Sequence, residues 1–513
     1  MTVLSLATIL AESARKKPDK VAVIDHTGAR YTYSELWSQA RSWAAGLRSL
    51  GVEPGDTVAL QIPNVVDFPL AYYAALAVGA KIVPVHLLLT PEEMAYVLRD
   101  SGATLLVAHS SQLETATKAA ELAGTAVVDT QRLAEAAASV EPLSTYVTRE
   151  AEDVAVIFYT SGTTGQPKGA LLTHLNLVMN ATVNTFDVHD PHPDDISMGC
   201  LPLFHTYGQS VAMNGTFRNG GTLVLLPRFT GEAAIELMVR EKATIFYGVP
   251  TMFIGLLEAA QKADRLPDLR LTFSGGASLP VAVLEKFTEV FQAQIYEGYG
   301  LSETSPTATT NQPAFGTKPG TIGHPIWGVE AEIARAEIDE RIEFLPTGEL
   351  GEIVIRGHCV FAGYHNRPEA TAEALIHGWF RTGDHGRKDE NGFITIVDRK
   401  KDLVIRGGFN VYPREVEEAL ARHPAVHQVA VIGIPDATHG EEICAVVVPD
   451  PGGITAEELI EWSKEKLGRH KYPRQIRFVE ELPLGPSFKV LKRELRKTFA
   501  VHSPTATLEG TEG

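Results

Sequence analysis

Residues Tyr159–Gly169 read YTSGTTGQPKG, directly after an apolar run, DVAVIFY, that begins at Asp153. The run predicts a strand, so the loop leaves a strand end. Its glycines let neighbouring backbone N–H groups turn toward one point, its hydroxyls add donors, and Lys168 brings a compact positive charge. A polyphosphate is the natural guest of such a loop. Gly, Ser, Thr and Pro also dominate ordinary surface turns, and composition alone does not separate the two readings.

Working outward, DTVALQI predicts a strand, FPLAYYAALAVGA a helix, KIVPV a strand, TPEEMAYVLRDSG a helix and TLLVA a strand. Upstream, YSELWSQARSWAAGLRSLG has helical periodicity and stops at Gly51. Strand–helix alternation returns through GGTLVLLP, AAIELMVREK, ATIFYGVP and LRLTFSGGA, which argues for parallel α/β sheets. Between 320 and 397 short strands and turns take over, suggesting an antiparallel or barrel-like subdomain. DRKKD, Asp398–Asp402, is a charged connector, followed by a small α+β stretch. The predicted architecture is a large α/β N-terminal domain, 1–397, made of two α/β subdomains plus a β-barrel-like one. A hinge at 398–402, a mobile lid at 403–501 and a disordered tail at 502–513 complete it.

A chain of 513 residues is too long for one core. Its formal net charge of −17 argues against a general nucleic-acid binder, which needs a basic face, but not against nucleotide binding. Cys200, Cys359 and Cys444 are far apart and lack metal-site spacing, which fits buried reduced thiols in a cytoplasmic protein. The N-terminus lacks the form of a signal peptide. The longest apolar stretch, PLAYYAALAVGAKIVPVHLLL, is interrupted by Gly79, Lys81, Pro84 and His86, so no integral membrane segment is expected.

The opening loop is not a Walker motif, because Pro167 precedes the lysine and Gly169 follows it. Nor is GYGLSE (Gly298–Glu303) a dinucleotide fingerprint, since Glu303 replaces the third glycine. A carboxylate beside phosphates would repel them unless a divalent cation intervened, and Mg²⁺ is commonly held by one or two carboxylates plus substrate phosphates.

Taken in order, YTSGTTGQPKG, LPLFHTYG, SGGASLP, EGYGLSE, GWFRTGD, DRKKDLVIRGGFNVYP and GPSFKVLKREL resemble the adenylate-forming superfamily, and within it the acyl-CoA synthetase branch. The resemblance spans roughly residues 10–497. It implies a ligase that joins a small carboxylic acid to ATP as acyl-AMP, with Mg²⁺, and then transfers the acyl group to CoA. On this resemblance Ser161, Gly162, Thr163, Thr164 and Lys168 hold the β and γ phosphates, and Thr160 beside them binds the nucleotide. Gly298, Tyr299, Gly300 and Ser302 follow the nucleotide, Tyr299 facing adenine and Ser302 the α-phosphate; Glu303 is the Mg²⁺ ligand. Gly275, Gly276 and Ala277 allow close backbone approach, while Asp384 and Arg399 serve the ribose.

Lys489 is implied as the lysine that bridges carboxylate and α-phosphate, although Phe488 stands where the family usually has glycine. With Glu303 and His205, which the resemblance places at the mouth of the acyl pocket, it makes up the implied catalytic set. Lys401 matches the hinge position, and Gly407 and Gly408 would line the CoA tunnel after the lid rotates. The usual aspartate of amino-acid-activating relatives is absent, and Gly298 offers no arginine for a second carboxylate. A neutral monocarboxylic acid follows, with a medium- or long-chain fatty acid preferred to a hydroxycinnamate. A 4-coumarate-type ligase, transfer to a carrier protein, a luciferase-like oxygenase and a nucleotide-binding protein without turnover are the rivals. Oligomeric state is left open, a homodimer included.

Overall fold

In the computed structural model, residues 2–160, 166–192, 194–399, 402–436, 438–485 and 488–500 are described. The run before the opening loop is the strand Val154–Thr160, and it pairs antiparallel with Lys168–Thr173, Thr160 opposite Lys168. The glycine-rich stretch therefore joins the two strands of a hairpin. This hairpin edges a six-stranded sheet ordered Ala126–Asp129, Leu105–Ala108, Thr57–Gln61, Lys81–Pro84, Val154–Thr160, Lys168–Thr173. Every other pairing in that sheet is parallel, as the strand–helix alternation predicts.

The long apolar stretch from Pro69 forms most of the helix Asp67–Val78, whose residues from Phe68 onward are all buried. It shares one core with the helix Tyr33–Ser49. A helix apolar all round is stable in water only when other elements cover every face. Among the described residues no helix is long and apolar enough to cross a membrane. The helix Pro91–Ser101 begins as its sequence dictates: Thr90 accepts from the Glu93 amide and the Glu93 carboxylate accepts from the Thr90 amide, satisfying two donors the helix cannot pair internally.

A nine-stranded sheet carries parallel strands through its centre, from Ile295–Gly300 to Val21–Ile24, with antiparallel strands at both margins. The segment after residue 320 forms an antiparallel sheet of Val329–Ala334, Gly351–Gly357, Trp379–Lys388, Leu375–Ile376 and Ile394–Arg399. No pairing among the described strands closes it into a barrel. The last sheet, built on the long pair Val426–Asp436 and Gly440–Pro449, has its own cores. Cys200, Cys359 and Cys444 are buried and unbridged, as expected.

Polar contacts are among those that join the small domain to the large one. Arg414 donates to the Ile396 carbonyl at 2.8 Å, and His427 lies 2.7 Å from Glu258. Beneath this junction Glu297 is buried, accepting from the Gly320 amide at 3.2 Å. Burial pushes its carboxyl up to about 7, against the opposing pull of the Arg414 guanidinium. The folded state thus holds this proton more tightly than the unfolded chain. The cost of ionising it grows as pH rises from about 4.5 to about 7 and is constant above that. Glu297→Gln is expected to remove a destabilisation of roughly 3 kcal/mol at pH 8 while changing little at pH 4. Denaturant unfolding of both proteins at the two pH values checks this; equal differences would show that Glu297 titrates in the fold as it does in the unfolded chain.

Candidate active site

The large cavity, about 1050 Å³, lies where Pro84, Thr160, Ser274 and Gly300 end their strands. Open parallel sheets bind ligands beyond the carboxyl ends of their strands, because backbone amides and following loops converge there. Of the residues singled out in the sequence, Thr160, Lys168, His205, Gly275, Gly276, Gly298, Tyr299, Gly300, Ser302, Glu303, Asp384 and Lys489 all line it. They come from positions more than three hundred residues apart.

At one end Glu303 is buried and takes both described contacts on Oε1. Tyr364 OH donates at 2.9 Å and Thr160 Oγ1 at 3.4 Å. The Lys168 ammonium sits over the Tyr364 ring, 5.2 Å from its centroid. Burial, and then the neighbouring Glu303 carboxylate, raise the Tyr364 phenol, so it is neutral and donates. The sequence reading missed Tyr364; a lone tyrosine in the turn AGYHNRP carries no signal of its own. A hard-oxygen set of Glu303 carboxylate and Thr160 hydroxyl suits Mg²⁺. Ser161, Gly162, Thr163 and Thr164 lie outside the described residues.

Tyr299 OH donates to Asp384 Oδ2 at 2.6 Å, and both residues are buried. The Asp384 amide in turn donates to Thr382 Oγ1 at 3.1 Å, fixing the turn that presents the carboxylate. Arg399 pairs with Asp384 across the strands Trp379–Lys388 and Ile394–Arg399; its side chain lies outside the described residues. A Cβ at Gly300 would collide with the Pro306 carbonyl, so glycine is required there for chain packing. Ala277 is exposed and does not line the cavity.

Lys489 reaches in from the small domain. A Cβ built on Gly276 would stand 3.0 Å from Lys489 Cε and 3.5 Å from Nζ, so the glycine leaves the lysine its path. Ser302 Oγ lies 3.1 Å from Thr206 Oγ1. His205, half-buried, is pulled down to about 3, by burial first and then by the Lys489 ammonium and His86. It is a neutral imidazole beside a cation. Beyond it the wall is formed by Tyr207, Val211, Phe273, His189 and Asn184. Tyr207 OH donates to the Phe273 carbonyl at 3.0 Å, and the His189 ring lies 4.2 Å from that of Phe273. Gly407 and Gly408, both with positive φ, lie on the small domain and do not line the cavity in this orientation. Lys401 lies outside the described residues.

Residues 10–365 match the AMP-binding enzyme family, and residues 415–489 match the AMP-binding enzyme C-terminal domain. A long-chain-fatty-acid–CoA ligase of Bacillus subtilis (strain 168) is 35% identical over 96% of this chain and 94% of its own. A feruloyl-CoA synthase of an Amycolatopsis species is 37% identical over 95% and 97%. The ATP-bound structure of MatB from Rhodopseudomonas palustris superposes with a TM-score of 0.88 at 34% identity, covering 96% of this chain and 99% of that one. With the cleft described above, these matches define an ATP-dependent acyl- or aryl-CoA ligase of the AMP-forming kind. The chain belongs to the AMP-binding enzyme family.

Proposed function

We propose that the protein activates a neutral monocarboxylic acid, a fatty acid of medium to long chain, and passes its acyl group to CoA. The observation that carries the neutral-acid reading is the charge pattern of the cavity. Among its described lining residues there is no arginine, and its lysines are Lys168 and Lys489, both at the nucleotide side. A second carboxylate at the acyl end would be buried without a counter-charge, which is costly. The fatty-acid reading draws support from the Bacillus relative. An aryl acid is the second reading, favoured by the Tyr207, His189 and Phe273 rings and by the Amycolatopsis relative.

In the first step a carboxylate oxygen attacks the α-phosphorus of ATP, the bond to the β-phosphate oxygen breaks, and pyrophosphate leaves. Lys489 offsets the charge of the two approaching anions, and Lys168 with the loop before it holds the departing phosphates. Asp384 accepts from the ribose hydroxyls and Tyr299 packs the adenine. Glu303, with Thr160, would hold Mg²⁺, which when bound neutralises phosphate charge. In the second step the CoA sulfur attacks the acyl carbonyl, its proton is lost and AMP leaves. Residues 398–402, Lys401 among them, form the hinge between domains 1–397 and 403–501. Rotation about it would exchange Lys489 for the Gly407–Gly408 turn at the cleft.

Purified protein with ATP, Mg²⁺, CoA and hexanoate, palmitate, cinnamate or malonate tests this. AMP and one acyl-CoA should rise together, with malonate inactive. Turnover of cinnamate alone would replace the fatty-acid reading by the aryl one. AMP formed without CoA consumption would move the acceptor to a carrier protein.

A further inference from the structure

Phe488 is in the left-handed region, φ +59°, a conformation glycine adopts freely and a bulky residue rarely does. Its turn is closed within the small domain: the Phe488 amide donates to the Gly485 carbonyl at 2.8 Å, and the Gly485 amide to the Lys489 carbonyl at 2.7 Å. Nothing in that hydrogen bonding requires an aromatic side chain. The contacts that do involve Phe488 beyond its own turn cross to the large domain. Its ring meets Phe229 edge-on, centroids 6.0 Å apart and planes at 76°. Its carbonyl accepts from Thr251 Oγ1 at 2.8 Å, on the first turn of the helix Pro250–Ala260. One residue further along, Lys489 passes over Gly276.

We propose that Phe488 is a positioning residue for Lys489: its ring, seated on Phe229, and its carbonyl, held by Thr251, dock the tip of the small domain so that Lys489 enters the cleft. This rests on the reading of Lys489 as the adenylation lysine. A strained backbone persists where surrounding contacts over-determine it, and here the contacts beyond the turn's own hydrogen bonds lie across the domain boundary. They are made with the lysine inserted and must break when the small domain rotates away. The clamp therefore favours the adenylating arrangement and opposes departure from it.

The two half-reactions are measured separately on the full chain: pyrophosphate exchange into ATP, and thioester formation from supplied acyl-AMP. Phe488→Gly relieves the backbone strain, so thermal stability should hold or rise. Adenylation should nonetheless fall roughly ten- to a hundredfold through misplacement of Lys489, with thioester formation unchanged or faster. Phe229→Leu, which keeps an apolar residue, should show the same asymmetry in smaller degree, and the double variant should be non-additive. Phe488→Tyr should retain adenylation. A merely structural residue would move both half-reactions together, and that outcome overturns the clamp, as does a wild-type ratio in both Phe488→Gly and Phe229→Leu. Lys489→Ala is run beside them. If it leaves adenylation intact, the underlying reading of the lysine fails; if it abolishes adenylation while Phe488→Gly does not perturb it, only the clamp fails.

Discussion

Lys489→Ala is expected to lower acyl-adenylate formation by roughly 10²–10³-fold, the scale on which removal of one preorganised charge partner at a transition state is felt in a water-poor site. The physical reason is electrostatic. Attack brings a carboxylate against an α-phosphate, and in the low dielectric of the cleft their repulsion is large unless a cation stands between them. Lys489 has the required reach, entering over Gly276 next to the strand end at Ser274. The same variant should convert supplied acyl-AMP and CoA to thioester at near wild-type rate, because by then the anhydride is made. Pyrophosphate exchange and single-turnover thioesterification separate the two. Equal losses in both would place the lysine's contribution in folding or general binding. A further sign should accompany the loss: His205, held near 3 partly by the Lys489 ammonium, should titrate at higher pH in the variant, which NMR of the imidazole reads directly.

Asp384→Asn is expected to raise the KM for ATP roughly ten- to a hundredfold with little change in the KM for the acid. Hydrogen bonds accepted by a carboxylate are worth about 1.5–3 kcal/mol each, more than those of a neutral amide. The substitution preserves volume and leaves an oxygen to accept from Tyr299 OH, which now sits 2.6 Å from Oδ2. Fold and adenine wall should therefore survive, as unfolding curves would show. An unchanged ATP KM would mean that Asp384 serves only to hold Tyr299 in place, and the ribose would need another partner.

How much of this was legible beforehand differs by element. The alternation of DTVALQI, FPLAYYAALAVGA and KIVPV is readable because strands of a sheet covered on both faces are continuous apolar runs and their crossover helices follow at short range. The sheet pairings and the capped helix at Pro91 followed those local rules. The hairpin return of Lys168 beside Thr160 did not, since its partner strand is itself short and has a turn-like start, KGALLT. The motif residues were legible through resemblance to a family, and the cavity collects most of them. Tyr364 and Phe229 carry no such mark. A single tyrosine or phenylalanine acquires its role only from what folding sets beside it.

The sequence by itself determined the residue types on offer: glycines and hydroxyls ahead of Lys168, the carboxylates Glu303 and Asp384 and a late lysine, Lys489, on alternating strands and helices. Tertiary structure alone decided that Tyr364 OH rests on Glu303 and that Asp384 is joined to Tyr299. It also decided that Phe488, read from sequence as a departure from a glycine position, reaches across to Phe229. Local rules act over a few residues, through φ, ψ and periodicity. These contacts join positions 61, 85 and 259 residues apart by sequence number, and only packing of whole domains brings them within reach.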